Sequence, residues 1–174
     1  MLVSKIMLMA LACIAFGSLS ASTASARSDT GRTFVAQLSG SQEVPPHDTH
    51  AHGAAIFHVS KDGSQIEYRL VVGNIENVIM AHIHLGPEGV NGPVVAFLLH
   101  PQPAAGGPSH GVIATGTIRA SDLVGPLAGM TLADLISAMR AGNIYANVHT
   151  DDGVSPPNTG PGDFPGGEIR GQIH

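Results

Sequence analysis

The sequence predicts an all-β domain, an antiparallel Greek-key-like β-sandwich or flattened barrel with one short helix. Short segments of alternating apolar and polar residues recur along the chain, and 22 Gly and 12 Pro among 174 residues supply the turns between them. Only one segment has helical periodicity. Because Trp is absent and Phe and Tyr are scarce, the core must be built from Val, Ile, Leu and Ala. This combination is typical of sandwiches and barrels.

The N-terminal segment has the pattern of a secretory signal peptide. Lys5 gives it a positive start, residues 6–16 form an apolar run that is short for a bilayer, and Ala24-Ser25-Ala26 resembles a cleavage site. We therefore expect a signal peptide over residues 1–26 and a mature domain over residues 27–174. The mature protein is predicted to be exported, either to the periplasm or outside the cell.

The composition of the mature domain excludes several classes of function. Cys13 is the only cysteine and lies in the expected signal peptide, so the domain has no disulfide and no thiolate ligand. Lipoprotein processing at Cys13 is the alternative, although Ala10-Leu11-Ala12 is a poor match to that motif. Without Lys5, seven basic residues face thirteen acidic ones, which gives no support for nucleic acid or an anionic membrane as a partner. No later run is long enough for a transmembrane helix.

Eight segments are predicted to be strands, and most of them alternate between apolar and polar residues, whereas residues 94–99 are apolar throughout. Pro45-Pro46 ends the first, because proline cannot donate to a β-ladder. Asp62-Gly63 marks a hairpin between the second and third, and Gly73-Asn74 is expected to turn the chain toward the fourth. The predicted strands cover residues 33–38, 53–59, 65–72, 78–85, 94–99, 112–118, 143–149 and 167–174.

The one predicted helix covers residues 132–140. Thr131 is a suitable N-cap with Asp134 three residues later, and Gly142 stands where a C-cap is needed. A single apolar stripe indicates that the helix covers the core, and it consists of Leu132, Leu135, Ile136 and Met139.

The fourth strand contains the motif His82-Ile83-His84. Alternate residues of a strand share a face, so the two imidazoles lie roughly 6.6 Å apart at the backbone and could bind one ion. His149, Glu168 and Arg170 have the polar parity of their own strands. If these strands are neighbours, all five residues are expected on one outer surface of the sandwich. A separate group, His47, His50 and His52, is expected in a solvated loop.

Four blocks of sequence resemble the CHRD family, the domain named after chordin. They are Leu38–Pro46, Ala81–Val95, Asn147–Thr150 and Gly166–Ile173, and they span nearly the whole mature chain. In chordin, such domains belong to an extracellular antagonist of signalling ligands. Small single-domain bacterial members look like exported proteins.

A weaker similarity connects the chain to the copper site of copper–zinc superoxide dismutases, which are also β-sandwiches. The resemblance assigns His82 and His84 to the paired ligands, His149 to the later ligand and Arg170 to the arginine that guides the anion.

The chain also departs from that enzyme. Where the enzyme has a loop rich in His and Asp, this chain offers only His100 and His110 as possible additional ligands, and the enzyme's cysteine pair is missing. These differences argue against a second metal site, and shared architecture alone does not transfer activity.

Three functions follow as hypotheses. The first is binding of copper or zinc through His82, His84 and His149, and its structural alternative is a hydrogen-bonded polar layer with Asn147 and Tyr145. The second is a non-catalytic extracellular module that binds a protein or polysaccharide. The third is a redox enzyme resembling superoxide dismutase.

A second group of charged residues is expected to bind an anion or to form a structural ion pair. In it, Glu168 or Glu43 would hold the guanidinium of Arg170.

Overall fold

The computed structural model describes residues 31–154, 156 and 160–174. The expected signal peptide and Cys13 lie outside these residues. Three short 3-10 turns cover Gly40–Gln42, Ala120–Asp122 and Gly125–Leu127. The regular elements are β1 (Thr33–Ser39), β2 (His52–Val59), β3 (Ile66–Glu76), β4 (Val78–Leu85), β5 (Val94–Leu99), β6 (Pro108–Ile118), α1 (Leu132–Arg140), β7 (Ile144–Thr150) and β8 (Ile169–Gln172).

All eight strands belong to one antiparallel sheet, in the order β5-β4-β7-β8-β1-β2-β3-β6. The sheet curls until its two ends approach each other, and the hydroxyl of Tyr68 in β3 donates to the carbonyl of Leu98 in β5 at 2.8 Å. The result is a nearly closed barrel, which confirms the predicted all-β class. No helix in the described part of the chain is long and apolar enough to cross a bilayer.

The helix α1 has the predicted bounds and caps. The backbone N–H and the hydroxyl of Thr131 both donate to Oδ2 of Asp134, at 2.9 and 2.6 Å. Gly142 follows the helix with a φ of +68°, where a residue without Cβ avoids strain. The apolar stripe of the helix joins the core together with the inward residues of the strands. Burial of this stripe is what holds so short a helix in place.

The predicted turn at Gly73-Asn74 is wrong. Strand β3 continues to Glu76 because its pairing with β6 accommodates an irregularity between Val72 and Ile75. The chain turns instead at Asn77, whose φ of +55° lies in the left-handed region that asparagine tolerates. This longer β3 sets the starting point of β4.

The predicted exposure of the histidine-bearing face is also wrong. Its five candidate side chains are between 0 and 8 % exposed, namely His82, His84, His149, Glu168 and Arg170. Loops fold back across this face and are tied to one another. Asn91 donates to the carbonyl of Val44 at 2.7 Å, and the ring of His47 stacks on Phe164 with centroids 4.0 Å apart. Of the three histidines expected in a solvated loop, His50 and His52 are exposed, but His52 begins β2 and His47 is half-buried.

Candidate metal centre

The register of the sheet brings the candidate residues together. In the pairing of β4 with β7, Met80 lies opposite His149 and His82 lies opposite Asn147. Asn147 in turn lies opposite Arg170 in β8. Directly opposed residues of antiparallel strands share a face. Segments that are distant in the chain therefore supply one continuous polar face.

Three imidazoles converge on this face. Nδ1 of His82 lies 3.1 Å from Nε2 of His149. One nitrogen from each of His82, His84 and His149 lies within 4.8 Å of the others, and all three side chains are buried. The structure therefore brings the three predicted ligands to a common point, beneath the loops and not on an outer wall.

Two of the rings are fixed by backbone carbonyls on their outer side. Nδ1 of His84 donates to the carbonyl of Gly92, and Nδ1 of His149 donates to that of Pro165, both at 2.9 Å. A carbonyl can only accept, so these Nδ1 atoms carry the protons and Nε2 of each neutral ring presents a lone pair. Outer-side acceptors of this kind orient histidine ligands in metal sites.

Burial keeps these imidazoles uncharged. Desolvation is the main cause of a lowered pKa in all three, and the pKa of His82 falls to about 3. The charges that His149 and His84 would carry lower the pKa of His82 further. Neutral imidazole is the form that binds metals. Nε2 of His84 and Nε2 of His149 can thus act as ligands at neutral pH without first losing protons, and Nδ1 of His82 can do so once its proton moves to Nε2 of the same ring.

An aromatic wall borders His82. The ring of Phe97 in β5 meets it edge-on with centroids 4.7 Å apart, and His100 stacks on Phe97 with centroids 5.0 Å apart. His110 lies on β6 beside a different cavity, which Glu76 and Gly162 also line. In the part of the chain that the structure describes, the three-histidine group includes neither His100 nor His110. Their participation in metal binding stays a prediction.

Arg170 stabilises the site through stacking. Its guanidinium lies 3.5 Å from the ring centroid of Tyr145, and that ring is parallel to His84 with centroids 4.7 Å apart. Its donors reach acceptors of the loop between β4 and β5, which are Asn91 Oδ1 and the carbonyls of Pro87 and Val90. The same loop supplies the carbonyl that fixes His84. The geometry favours a positioning role for Arg170, since only 1 % of it is exposed to an incoming anion.

The carboxylate of Glu168 has other partners than the expected arginine. It accepts hydrogen bonds from the hydroxyls of Thr49 and Thr150 and from the N–H of Gly162, at 2.6 to 2.9 Å. Among the described residues, Glu168 makes no ion pair with Arg170. Glu168 therefore joins two loops to β7.

Glu43, the other carboxylate expected beside Arg170, lines a cavity together with it. Burial raises the pKa of its carboxyl to about 7, and the charge of Arg170 opposes this shift. Its Oε1 atom is buried and has no hydrogen-bond partner among the residues that the structure describes. Glu43 also lines two surface cavities of about 290 and 360 Å³. The interaction of Glu43 with Arg170 is electrostatic and involves no direct hydrogen bond.

Sequence reasoning missed the two carbonyls that orient the histidines. Gly92 and Pro165 act through backbone oxygens, which every residue type possesses, so no side-chain pattern identifies them. The stacking role of Tyr145 was also missed, because it depends on the register of three strands. From the sequence, Asn147 was expected only as a hydrogen-bond partner of the three histidines in a polar layer.

Comparison with known proteins identifies the family of the chain. The family model of the CHRD domain matches residues 34–173, which covers all eight strands. The comparison with curated proteins found no match, and the comparison with solved structures found none. The family match agrees with the four sequence blocks, two of which contain the histidines of the site. This chain therefore belongs to the CHRD domain family.

Proposed function

We propose that this CHRD-domain protein is exported and binds a divalent metal ion, copper or zinc, through His82, His84 and His149. The observation that carries the proposal is the convergence of three buried imidazoles, with one nitrogen of each within 4.8 Å of the others. Carbonyls fix the outer nitrogens of two of these rings. A site with rings already oriented loses little conformational freedom when an ion binds.

The donor set favours copper or zinc over harder cations. Imidazole suits Cu(II) and Zn(II), whereas Mg²⁺ and Ca²⁺ prefer oxygen ligands. Zinc–nitrogen bonds are near 2.0–2.1 Å, so an ion among these nitrogens needs only small side-chain shifts. The three histidines are therefore suitable ligands for a copper or zinc ion.

Export would place the domain where it meets metal ions outside the cytoplasm, and its role there would be to bind or deliver the ion. The support for export is the signal-peptide pattern of residues 1–26. Mass spectrometry of the protein from periplasmic and extracellular fractions tests it. A mature chain that begins after Ala26 is the expected result, and retention of the intact precursor in the cytoplasm would contradict it.

Metal binding is tested by calorimetric titration. The mature protein is purified without a histidine tag, stripped of metal, and titrated with Cu(II) and with Zn(II). We expect one ion per chain, and we expect the double variant His82→Ala, His84→Ala to abolish the binding heat. His50→Ala removes an exposed histidine and serves as the matched control. Unchanged heat in the double variant, or no heat in the wild-type protein, would refute the proposal.

A further inference from the structure

The side-chain oxygen of Asn147 lies among the imidazoles. Its Oδ1 atom is 2.9 Å from Nε2 of His84 and 3.0 Å from Nε2 of His149. Asn147 is buried and directly opposite His82 in the sheet. The amide therefore has a defined place inside the site.

The two nitrogen atoms that this oxygen contacts are hydrogen-bond acceptors, as the oxygen is. Because the Nδ1 atoms of His84 and His149 donate to carbonyls, both Nε2 atoms present lone pairs. An amide oxygen also offers lone pairs only. The oxygen lies 2.9 Å from one of these acceptors and 3.0 Å from the other, and it repels both unless a positive centre lies between them. A cation supplies that centre.

The spacing also suits a four-ligand site. A tetrahedral ion with bonds near 2.0 Å holds its ligand atoms about 3.3 Å apart. The contacts from His84 Nε2 to Asn147 Oδ1, on to His149 Nε2 and then to His82 Nδ1 measure 2.9, 3.0 and 3.1 Å. A slight expansion of these contacts would admit the ion.

The surroundings of the amide nitrogen agree with this orientation. A Cβ placed on Gly167 would lie 2.8 Å from Nδ2 of Asn147 and 2.7 Å from Oε1 of Glu43, so both atoms occupy the space above this glycine. A carboxyl group accepts hydrogen bonds in either protonation state. With Oδ1 toward the histidines, the amide nitrogen lies on the side of Oε1 of Glu43, a buried acceptor that makes no hydrogen bond within the described part of the chain.

We propose that Oδ1 of Asn147 is the fourth protein ligand of the metal ion. This inference rests on the proposed function and extends it. Four protein ligands make a closed site, which is typical of zinc that is held and not of zinc that keeps a position open for catalysis. The chemical class of the site is thus a neutral N3O donor set for a divalent ion.

Zinc affinity of two Asn147 variants provides the test. Loss of an outer partner of a metal ligand already weakens binding 10- to 100-fold, so Asn147→Ala should raise the dissociation constant at least about tenfold. Asn147→Asp places a charged oxygen at the same point and should bind zinc at least as tightly as the wild-type protein. Asn143→Ala, an exposed amide just before β7, should leave affinity unchanged.

If the Asn147 amide instead only donates hydrogen bonds to the imidazoles, we expect a different order of zinc affinities, in which Asn147→Asp binds zinc no better than Asn147→Ala. That order, or an Ala variant within twofold of wild type, would overturn the proposal. Absence of both zinc and copper binding by the wild-type protein would refute the three-histidine site itself, so the two failures are distinct. Circular dichroism of each variant confirms folding before the titration.

The visible spectrum of the Co(II)-substituted protein is an independent measurement, because its d–d bands depend on the ligand set. The spectrum of Asn147→Ala should differ from that of the wild-type protein, and that of Asn143→Ala should not. An unchanged spectrum in Asn147→Ala would contradict the assignment.

Discussion

Nδ1 of His82 lies 3.1 Å from Nε2 of His149, although 67 residues separate the two histidines in the chain. Two positively charged rings cannot share this buried contact, because each charge would lack solvent and repel the other. The folded site therefore holds its imidazoles neutral, as the lowered pKa values of His82 and His149 indicate.

The metal-free protein should consequently lose stability in mild acid. The pKa of each site histidine is lower in the folded chain than the 6.5 of the unfolded chain, so protons bind the unfolded state first as pH falls. This stabilisation is present above pH 6.5 and declines as pH falls below it, for His82 until about pH 3, by at most about 1.4 kcal/mol per pH unit for each histidine. Urea unfolding at pH 7 and at pH 5.5 measures the loss.

Between pH 7 and pH 5.5, the free energy of unfolding of His82→Asn should fall less than that of the wild-type protein. Glu43 titrates in the same interval with the opposite sign, but it is present in both proteins and cancels in the comparison. His50→Ala, an exposed change, should keep the wild-type slope. Equal slopes in His82→Asn and the wild-type protein would contradict the expectation.

Glu43→Gln should change stability in a pH-dependent way. The carboxyl of Glu43 has a pKa of about 7 when folded and about 4.5 when unfolded, so its stabilising contribution exists at low pH and is lost as pH rises through 7. Glutamine has the same shape and does not ionise. As the pH rises from 5 to 8, the free energy of unfolding of Glu43→Gln should increase by about 1–3 kcal/mol relative to that of the wild-type protein.

Urea unfolding of both metal-free proteins at the two pH values measures this gain. Glu88→Gln removes an exposed carboxyl and should show no comparable change. A difference between Glu43→Gln and wild type that stays constant from pH 5 to pH 8 would show that the buried carboxyl does not titrate as its surroundings require.

The sequence alone predicted which side chains share a face, because the two-residue period of a strand is local. Ala81 and Ile83 lie in the core, and His82 and His84 lie on the other face, as the alternation indicated. The caps of α1 were equally local, since Thr131 and Asp134 are three residues apart. These predictions needed no knowledge of topology.

The burial of the site could not be read from alternation. It depends on loops whose positions are set by contacts between distant residues, such as the hydrogen bond from Asn91 to the carbonyl of Val44. For the same reason, the expected pair of Glu168 with Arg170 gave way to separate partners on different loops. The alternation of polar and apolar residues along a strand separates the two faces of the sheet, but it does not show whether the polar face is exposed to solvent.

Arg170→Met should destabilise the fold and loosen the loop between β4 and β5. The change removes the stacking on Tyr145 and leaves the carbonyls of Pro87 and Val90 without the guanidinium as donor. These losses should lower the free energy of unfolding by about 2–4 kcal/mol. Urea unfolding measures the loss, and hydrogen exchange of residues 86–93 should become faster.

The control for this change is Arg140→Met at an exposed position, where the guanidinium donates a long hydrogen bond of 3.4 Å to the carbonyl of Gly31. We expect it to alter stability by less than about 0.5 kcal/mol. Slow exchange in residues 86–93 of Arg170→Met, equal to wild type, would show that the loop does not depend on this side chain.

Gly167→Ala should damage both the fold and the site. Its φ of +125° strains any residue with a Cβ, and that Cβ would meet Oε1 of Glu43 at 2.7 Å and Nδ2 of Asn147 at 2.8 Å. Gly31 has nearly the same φ, +121°, and none of the residues that the structure describes comes within 4 Å of a Cβ added there, so Gly31→Ala isolates the backbone strain from the clash. Urea unfolding should show a larger loss for Gly167→Ala, by about 1–3 kcal/mol. Its zinc affinity should also fall, because the displaced amide no longer faces the histidines. Equal losses in the two variants would mean that Glu43 and Asn147 move aside freely and that the amide is not held in place.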